Sequence, residues 1–240
     1  MKTSAVIDDP TTTSRTHIDR GDARVAGWAA LGAGVTTVAL IALYFVYSGP
    51  PPASNVLTRS LLTLIMLALL SVFGVAFGRL LPVDGHGRRS LPGQLALVSL
   101  FTYVAVILFA TSLEAGTPLW QPHASLDPTT DGPLAAAMAL AHGPIAHLWI
   151  AMFLAGFASA AGASGLSRLV PRWAVRGCVS VAVINVLAIP SMYFGMDATD
   201  FYAVNGWGAD ALVGLITMVW VGLVGLGILR SGPARSLTAG

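Results

Sequence analysis

An all-α, polytopic transmembrane bundle is the fold class this sequence predicts: six membrane-spanning helices plus a short helix at the outer surface. Three observations carry it. Of 240 residues, 55% are hydrophobic and only 10% are charged, against about a quarter charged in an ordinary soluble domain. The apolar residues gather into six runs of about 20 residues, the length a helix needs to cross about 30 Å of hydrocarbon. The basic residues then fall almost wholly on one side of the topology those runs create.

Residues 1–24 are polar and aperiodic, with Lys2, Arg15, Arg20 and Arg24, and predict a disordered cytoplasmic tail. The apolar run that follows is too long for a signal peptide and closes on no small-residue cleavage site. The first span, 25–47, is therefore a retained anchor and opens a transmembrane domain over 25–230. A proline-rich turn, Ser48-Gly-Pro-Pro-Pro-Ala, cannot continue a helix. Span two covers 56–81 with Arg59 near its start, and the short basic loop around Arg88 and Arg89 leads to span three, 91–113. A longer connection, 114–131, holds Glu114, Pro118, Trp120, His123, Asp127 and Asp131 but no Lys or Arg.

The stretch 133–169 is too long for one crossing. Gly143-Pro144 is a natural place to stop one helix and start another, since Pro is tolerated in a first turn. A short outer helix over 134–142 and a crossing over 144–166 follow, with a single kinked helix as the competing reading. Span five, 174–194, carries Asn185 and is interrupted by Pro190. An acidic, aromatic loop leads to span six, 211–229, and a flexible cytoplasmic tail over 231–240.

With six spans both termini share a side. Of the thirteen basic residues only Arg59 falls on the other. A Lys/Arg bias in short loops marks the cytoplasmic face, so both termini are expected to be cytoplasmic. Glu114, Asp127, Asp131, Asp197, Asp200 and Asp210 lie outside. Trp28 and Trp173 near inner ends and Trp207 near an outer end suit interfacial belts. The scattered basic residues give no patch for nucleic acid. The lone Cys178 excludes an internal disulfide and reads as a small buried thiol.

Several constellations point toward chemistry and lose to simpler readings. Gly162-Ala163-Ser164-Gly165 matches the nucleophile motif of rhomboid proteases. No histidine follows Ser164 to activate it, and the motif sits at the arginine-bearing end of its span. Small residues three and four apart instead predict a close helix contact, so Gly162→Leu is expected to force helices apart. Gly27, Gly32, Gly34, Gly222, Gly225 and Gly227 have the same reading. His142 and His147 are five apart, about 140° around a continuous helix, which is poor metal spacing; neither metal nor cofactor is expected. Asn185 and Ser191 are candidates for the backbone carbonyl that Pro190 leaves unpaired, and a substrate contact at Asn185 is the sharper alternative. Arg59 either reaches lipid headgroups or pairs with Glu114 or Asp210. No span carries a charge at its centre, which argues against ion-coupled transport.

The opening Ala23-Arg24-Val-Ala-Gly27-Trp28 and the later Leu169-Val-Pro171-Arg172-Trp173 resemble uncharacterised multi-pass membrane proteins of actinobacteria and other bacteria, grouped as a domain of unknown function. The Ala, Gly, Val and Arg content with almost no Lys fits a GC-rich source. The resemblance implies a bacterial cytoplasmic membrane location and the same fold class, and brings no activity with it.

The functional expectation is a non-enzymatic integral membrane component that binds a partner protein or a lipophilic small molecule within the lipid bilayer. A small permease or transporter subunit and a membrane-embedded enzyme are the alternatives. Polar groups from four spans converge at the outer level, the usual make-up of a small-molecule pocket. The expected lining is Arg59, Glu114, His147, Tyr193 and Asp210, with His142 and Asn185 behind them and His147 titrating near neutral pH.

Overall fold

The computed structural model describes residues 20–46, 51–84, 86–120, 132–163 and 165–231. The expected tails before residue 20 and after residue 231, the loop residues His123, Asp127 and Asp131, and Ser164 lie outside them. The described chain is helical, with seven α-helices: α1 Arg20–Tyr44, α2 Ala53–Leu80, α3 Leu91–Trp120, α4 Gly132–Leu140, α5 Ala146–Ala163, α6 Arg172–Ala188 and α7 Val213–Ser231. Six helical stretches are long and apolar enough to cross a membrane.

Local sequence sets the helix ends. Pro52 and Pro171, both in extended backbone, immediately precede α2 and α6, where a missing N–H leaves no orphan. Between α2 and α3 the chain turns through Gly87 at φ 78°, a left-handed conformation that suits glycine. The Asp84 carboxylate accepts the His86 and Arg88 N–H groups there, at 2.9 and 2.8 Å. Two expected boundaries move. Residues 20–24 form the first turn of α1 rather than tail, and α3 runs through Glu114 and Pro118 to Trp120. Pro118 sits in the last turn of α3, where its ring interrupts little of the ladder.

The short helix expected before Gly143-Pro144 is present as α4, and it is joined to α5 by a π-helical turn, Ala141–Ile145. Gly143 is the point of rupture, with φ −90° and ψ −107°. A Cβ there would lie 2.9 Å from the Val204 carbonyl oxygen, so glycine lets the loop between α6 and α7 press against the kink. Two more irregular turns occur at the same end of the bundle, a 3₁₀ turn Ile189–Phe194 after α6 and a π turn Trp207–Leu212 before α7.

Packing is close where side chains are small. Helix α1 packs most extensively on α7 and α2, and α3 on α5. At the α1–α7 contact a Cβ on Gly225 would lie 2.5 Å from the Gly27 oxygen, and one on Gly34 would lie 2.9 Å from the Gly222 Cα. Backbones touch there, as small-residue faces allow. Gly156 plays the same part against Pro92 and Ala96. Gly162 does not: it is exposed, and a Cβ there meets nothing within 4 Å. The expectation for Gly162→Leu is therefore overturned, because the closely packed face of α5 passes through Gly156 and turns away from Gly162. Gly32 and Gly227 face side chains, Leu69 and Pro171 with Trp173, rather than backbone.

At the arginine-bearing half of the bundle, Phe73 and Phe77 of α2 meet Phe153 and Phe157 of α5, all less than 2% exposed, with ring centroids 5.0–6.3 Å apart. Rings of this size fill that half. On the outside, Val72 and Val75, Val179, Val183 and Val186, and Leu61 and Leu64 recur at helical spacing and stay exposed. Such a surface suits hydrocarbon and not water. Serine and threonine hydroxyls in the spans largely return to carbonyls four residues back, as Thr36, Thr37, Ser60, Thr63 and Ser71 do.

Candidate binding cavity

Beyond the phenylalanine cluster, toward the end remote from most arginines, the bundle opens into a cavity of about 110 Å³ to which all six spanning helical stretches contribute. Its apolar wall includes Leu40, Ile41, Met66, Ile107, Ile150 and Met218. The space exists because this half offers threonines, alanines and a glycine where the other half offers four phenylalanines. An apolar cavity of about 150 Å³ takes up benzene in another protein, so this one has room for a small organic molecule.

One wall is a closed hydrogen-bond network. His147, 4% exposed, sits in the first turn of α5 just past the kink. Its Nδ1 is 2.8 Å from Asn185 Oδ1 on α6 and its Nε2 is 2.7 Å from the Ala209 carbonyl in the π turn before α7. The Asn185 amide donates to the Val181 carbonyl at 2.9 Å and to Thr217 Oγ1 at 2.8 Å, and the Thr217 hydroxyl donates to Val213 O at 2.7 Å. The network ties α5, α6 and α7 together at fully buried atoms, where each hydrogen bond replaces one water cannot supply. Both imidazole nitrogens are directed at these protein oxygens, so His147 braces the cavity and presents neither nitrogen to a bound molecule.

A second polar structure stands beside the cavity. Arg59 of α2 pairs with Glu114 of α3 at 2.8 Å, with both side chains largely buried (8% and 17% exposed). The guanidinium carbon lies 3.9 Å over the Tyr44 ring, a cation–π stack. Glu114, and not Asp210, is thus the partner of Arg59, because α3 and not α7 packs beside α2. The pair closes on itself and neither residue lines the cavity. Arg59 Nε, Asn55 Oδ1 and Thr111 Oγ1 nearby in sequence on these helices are buried without a partner among the described residues.

Of the expected lining, His147, Asp210, His142 and Asn185 do border one cavity. Arg59 and Glu114 stand behind Tyr44. Tyr193 does not belong: its side chain is 84% exposed, because the chain leaves α6 as a 3₁₀ turn at Ile189 and swings the ring outward. Pro190 also needs no help from Asn185 or Ser191. The Val186 carbonyl it leaves unpaired is taken by the Ile189 N–H, and the Ser191 hydroxyl is buried without a partner among the described residues.

Tyr44, Tyr103, Thr63 and Thr217 also border the cavity, and none was expected there. A tyrosine inside an apolar span was the available signal, since its hydroxyl needs a polar neighbour in hydrocarbon. Among the described residues no group of three or more His, Cys, Asp or Glu side chains is arranged to hold a metal ion. No protein-family model matches this chain, and neither does any curated protein or solved structure.

Proposed function

We propose that this chain is a non-enzymatic, small-molecule-binding protein of a bacterial cytoplasmic membrane, with both termini in the cytoplasm and the cavity in the outer half of the bilayer. The arginines at the ends of α2 and α7 and the starts of α1 and α6 support that orientation under the positive-inside rule. The likeness to multi-pass actinobacterial proteins of unassigned activity is part of the same proposal. The observation that carries the functional reading is the cavity itself. It is mostly apolar with a few convergent polar groups, the usual constitution of a ligand site, and its best-placed histidine is committed to structure.

The test uses methionine methyl groups. Met66 and Met218 border the cavity, so their NMR signals in nanodisc-embedded protein should move on titration with cyclohexanol, a neutral molecule of fitting size. Gly214 borders the same space, and a Cβ there meets nothing within 4 Å. Gly214→Leu should fill the cavity, abolish those shifts and leave the melting temperature intact. Equal shifts in Gly214→Leu, or none in the wild type, would end this reading.

A permease is the second reading, favoured by one observation. The kink at Gly143 and the π turn before α7 both flank the cavity, and interrupted helices at a binding site are a transporter habit. Saturable flux of cyclohexanol-sized solutes across proteoliposomes, lost in Gly214→Leu, would promote it over simple binding.

A further inference from the structure

The polar groups that border the cavity divide into two sets. Thr37 and Thr63 hydroxyls return to carbonyls of their own helices, the Asn185 amide and the Thr217 hydroxyl donate within the bundle, and both His147 nitrogens face protein oxygens. Asp210 is different. It sits half-buried in the π turn that begins the last span and borders the cavity. The ion pairs among the described residues are Arg59–Glu114, Arg79–Asp22 and Arg88–Asp84. Asp210 is in none of them, so no described Arg, Lys or His nitrogen lies within 4.0 Å of its carboxylate. Arg59 of α2 is already neutralised, because it is committed to Glu114 and to the face of Tyr44.

We propose that the cavity selects a small organic ammonium ion, with Asp210 as the anion that binds it. A carboxylate bordering hydrocarbon without a counterion is a costly arrangement, and a cationic ligand relieves it. The remaining lining says what the rest of that ligand is. Leu40, Ile41, Ile107, Ile150, Met66 and Met218 suit an apolar body of a few carbons. The Tyr103 hydroxyl, on a side chain that borders the same cavity, can accept a second ammonium hydrogen. A bare metal cation would leave the apolar wall unused and would find one carboxylate where it needs several oxygens. An anion would meet Asp210 head on.

This proposal rests on the small-molecule reading of the cavity, and the experiment separates the two. Cyclohexylammonium, cyclohexanol and cyclohexanecarboxylate are titrated at neutral pH against nanodisc-embedded wild type and Asp210→Asn, following the Met66 and Met218 methyl signals. The ammonium should bind tightest in the wild type and weaken by at least about tenfold in Asp210→Asn, the loss of one charge-assisted hydrogen bond. Cyclohexanol, which carries no charge for Asp210 to hold, should lose far less than the ammonium, and a cooperative thermal melt of Asp210→Asn shows that the variant keeps its fold. Equal binding of ammonium and alcohol, an ammonium affinity untouched by Asp210→Asn, or preference for the carboxylate would overturn the ammonium assignment and leave the cavity reading standing. Silence from all three molecules would remove both. Should Asp210→Asn fail to fold, Asp210→Glu decides: it should retain ammonium preference, and its loss of preference would count against the proposal.

Discussion

Adding one methyl group at Gly225 tests whether α1 and α7 meet backbone to backbone. In the native packing a Cβ at this position would lie 2.5 Å from the Gly27 oxygen, 2.8 Å from the Leu31 nitrogen and 2.9 Å from the Ala30 Cβ. Comfortable contact needs about 3.5 Å, so Gly225→Ala must part the helices by roughly 1 Å. Two of the three obstacles are main-chain atoms, and neither can rotate away. Overpacking of this kind costs about 1–3 kcal/mol, and the rigid obstacle places Gly225→Ala at the upper end. Against that stands about 1 kcal/mol of helix propensity gained by replacing glycine with alanine. The net loss, about 2 kcal/mol, corresponds to a fall in melting temperature of about 4–8 °C for a chain of this size. Gly162→Ala is the matched control, because a Cβ there meets open space; it should leave the melting temperature unchanged or raise it slightly. Thermal unfolding in one detergent, followed by tryptophan fluorescence, reads both. A Gly225→Ala protein as stable as wild type, or a Gly162→Ala protein that loses more, would refute the assignment of which glycine faces a neighbour.

The buried pair should show the asymmetry of desolvated charges. Glu114→Gln leaves the Arg59 guanidinium buried without its carboxylate and should cost about 3 kcal/mol, whereas Arg59→Met with Glu114→Leu should recover most of it; a double variant no better than the single one by thermal melt would show that the pair matters through packing alone. Asp197 lies in the exposed loop after α6, where the Thr199 hydroxyl and N–H donate to one carboxylate oxygen at 2.7 and 2.8 Å. These bonds hold its pKa below the ordinary carboxylate value, with the Thr199 hydroxyl the largest cause. A depressed folded pKa means the turn is fully stabilised above the unfolded value and loses that support as pH falls through the lower folded one. The Thr199 amide NMR shift should therefore titrate with a midpoint below about pH 3.9, and a midpoint above that value would contradict the turn. For orientation, reporter fusions after Arg89 and after Ser231 should share one compartment and a fusion at Asp200 the opposite one; agreement of all three would discard the six-span topology.

The properties that sequence alone determined are those that sum along one dimension. Six crossings follow from hydropathy, because hydrocarbon thickness sets a length that no tertiary contact changes. The gathering of all but one of the basic residues on one side is read from counting loops. Pro52, Pro171 and Gly87 mark turns because proline and glycine act on their own backbone. Gly143-Pro144 marks a break for the same reason.

What only the tertiary structure decided is rotation about each helix axis and the choice of neighbour. Gly156 and Gly162 belong to one run of small residues, yet they are about 120° apart around α5, and only docking against α3 tells which one touches backbone. Arg59 faced two carboxylates of equal standing in the sequence, Glu114 and Asp210, until α2 settled beside α3. Tyr193 left the site because the last turns of α6 tighten into a 3₁₀ turn. Tyr103 entered the cavity because α3 turns that face inward, and Tyr44, 42% exposed at the end of α1, borders it from the edge. His147 is the clearest case. Its sequence position placed it near a membrane interface, while its partners are 38 and 62 residues away along the chain, where no local pattern reaches.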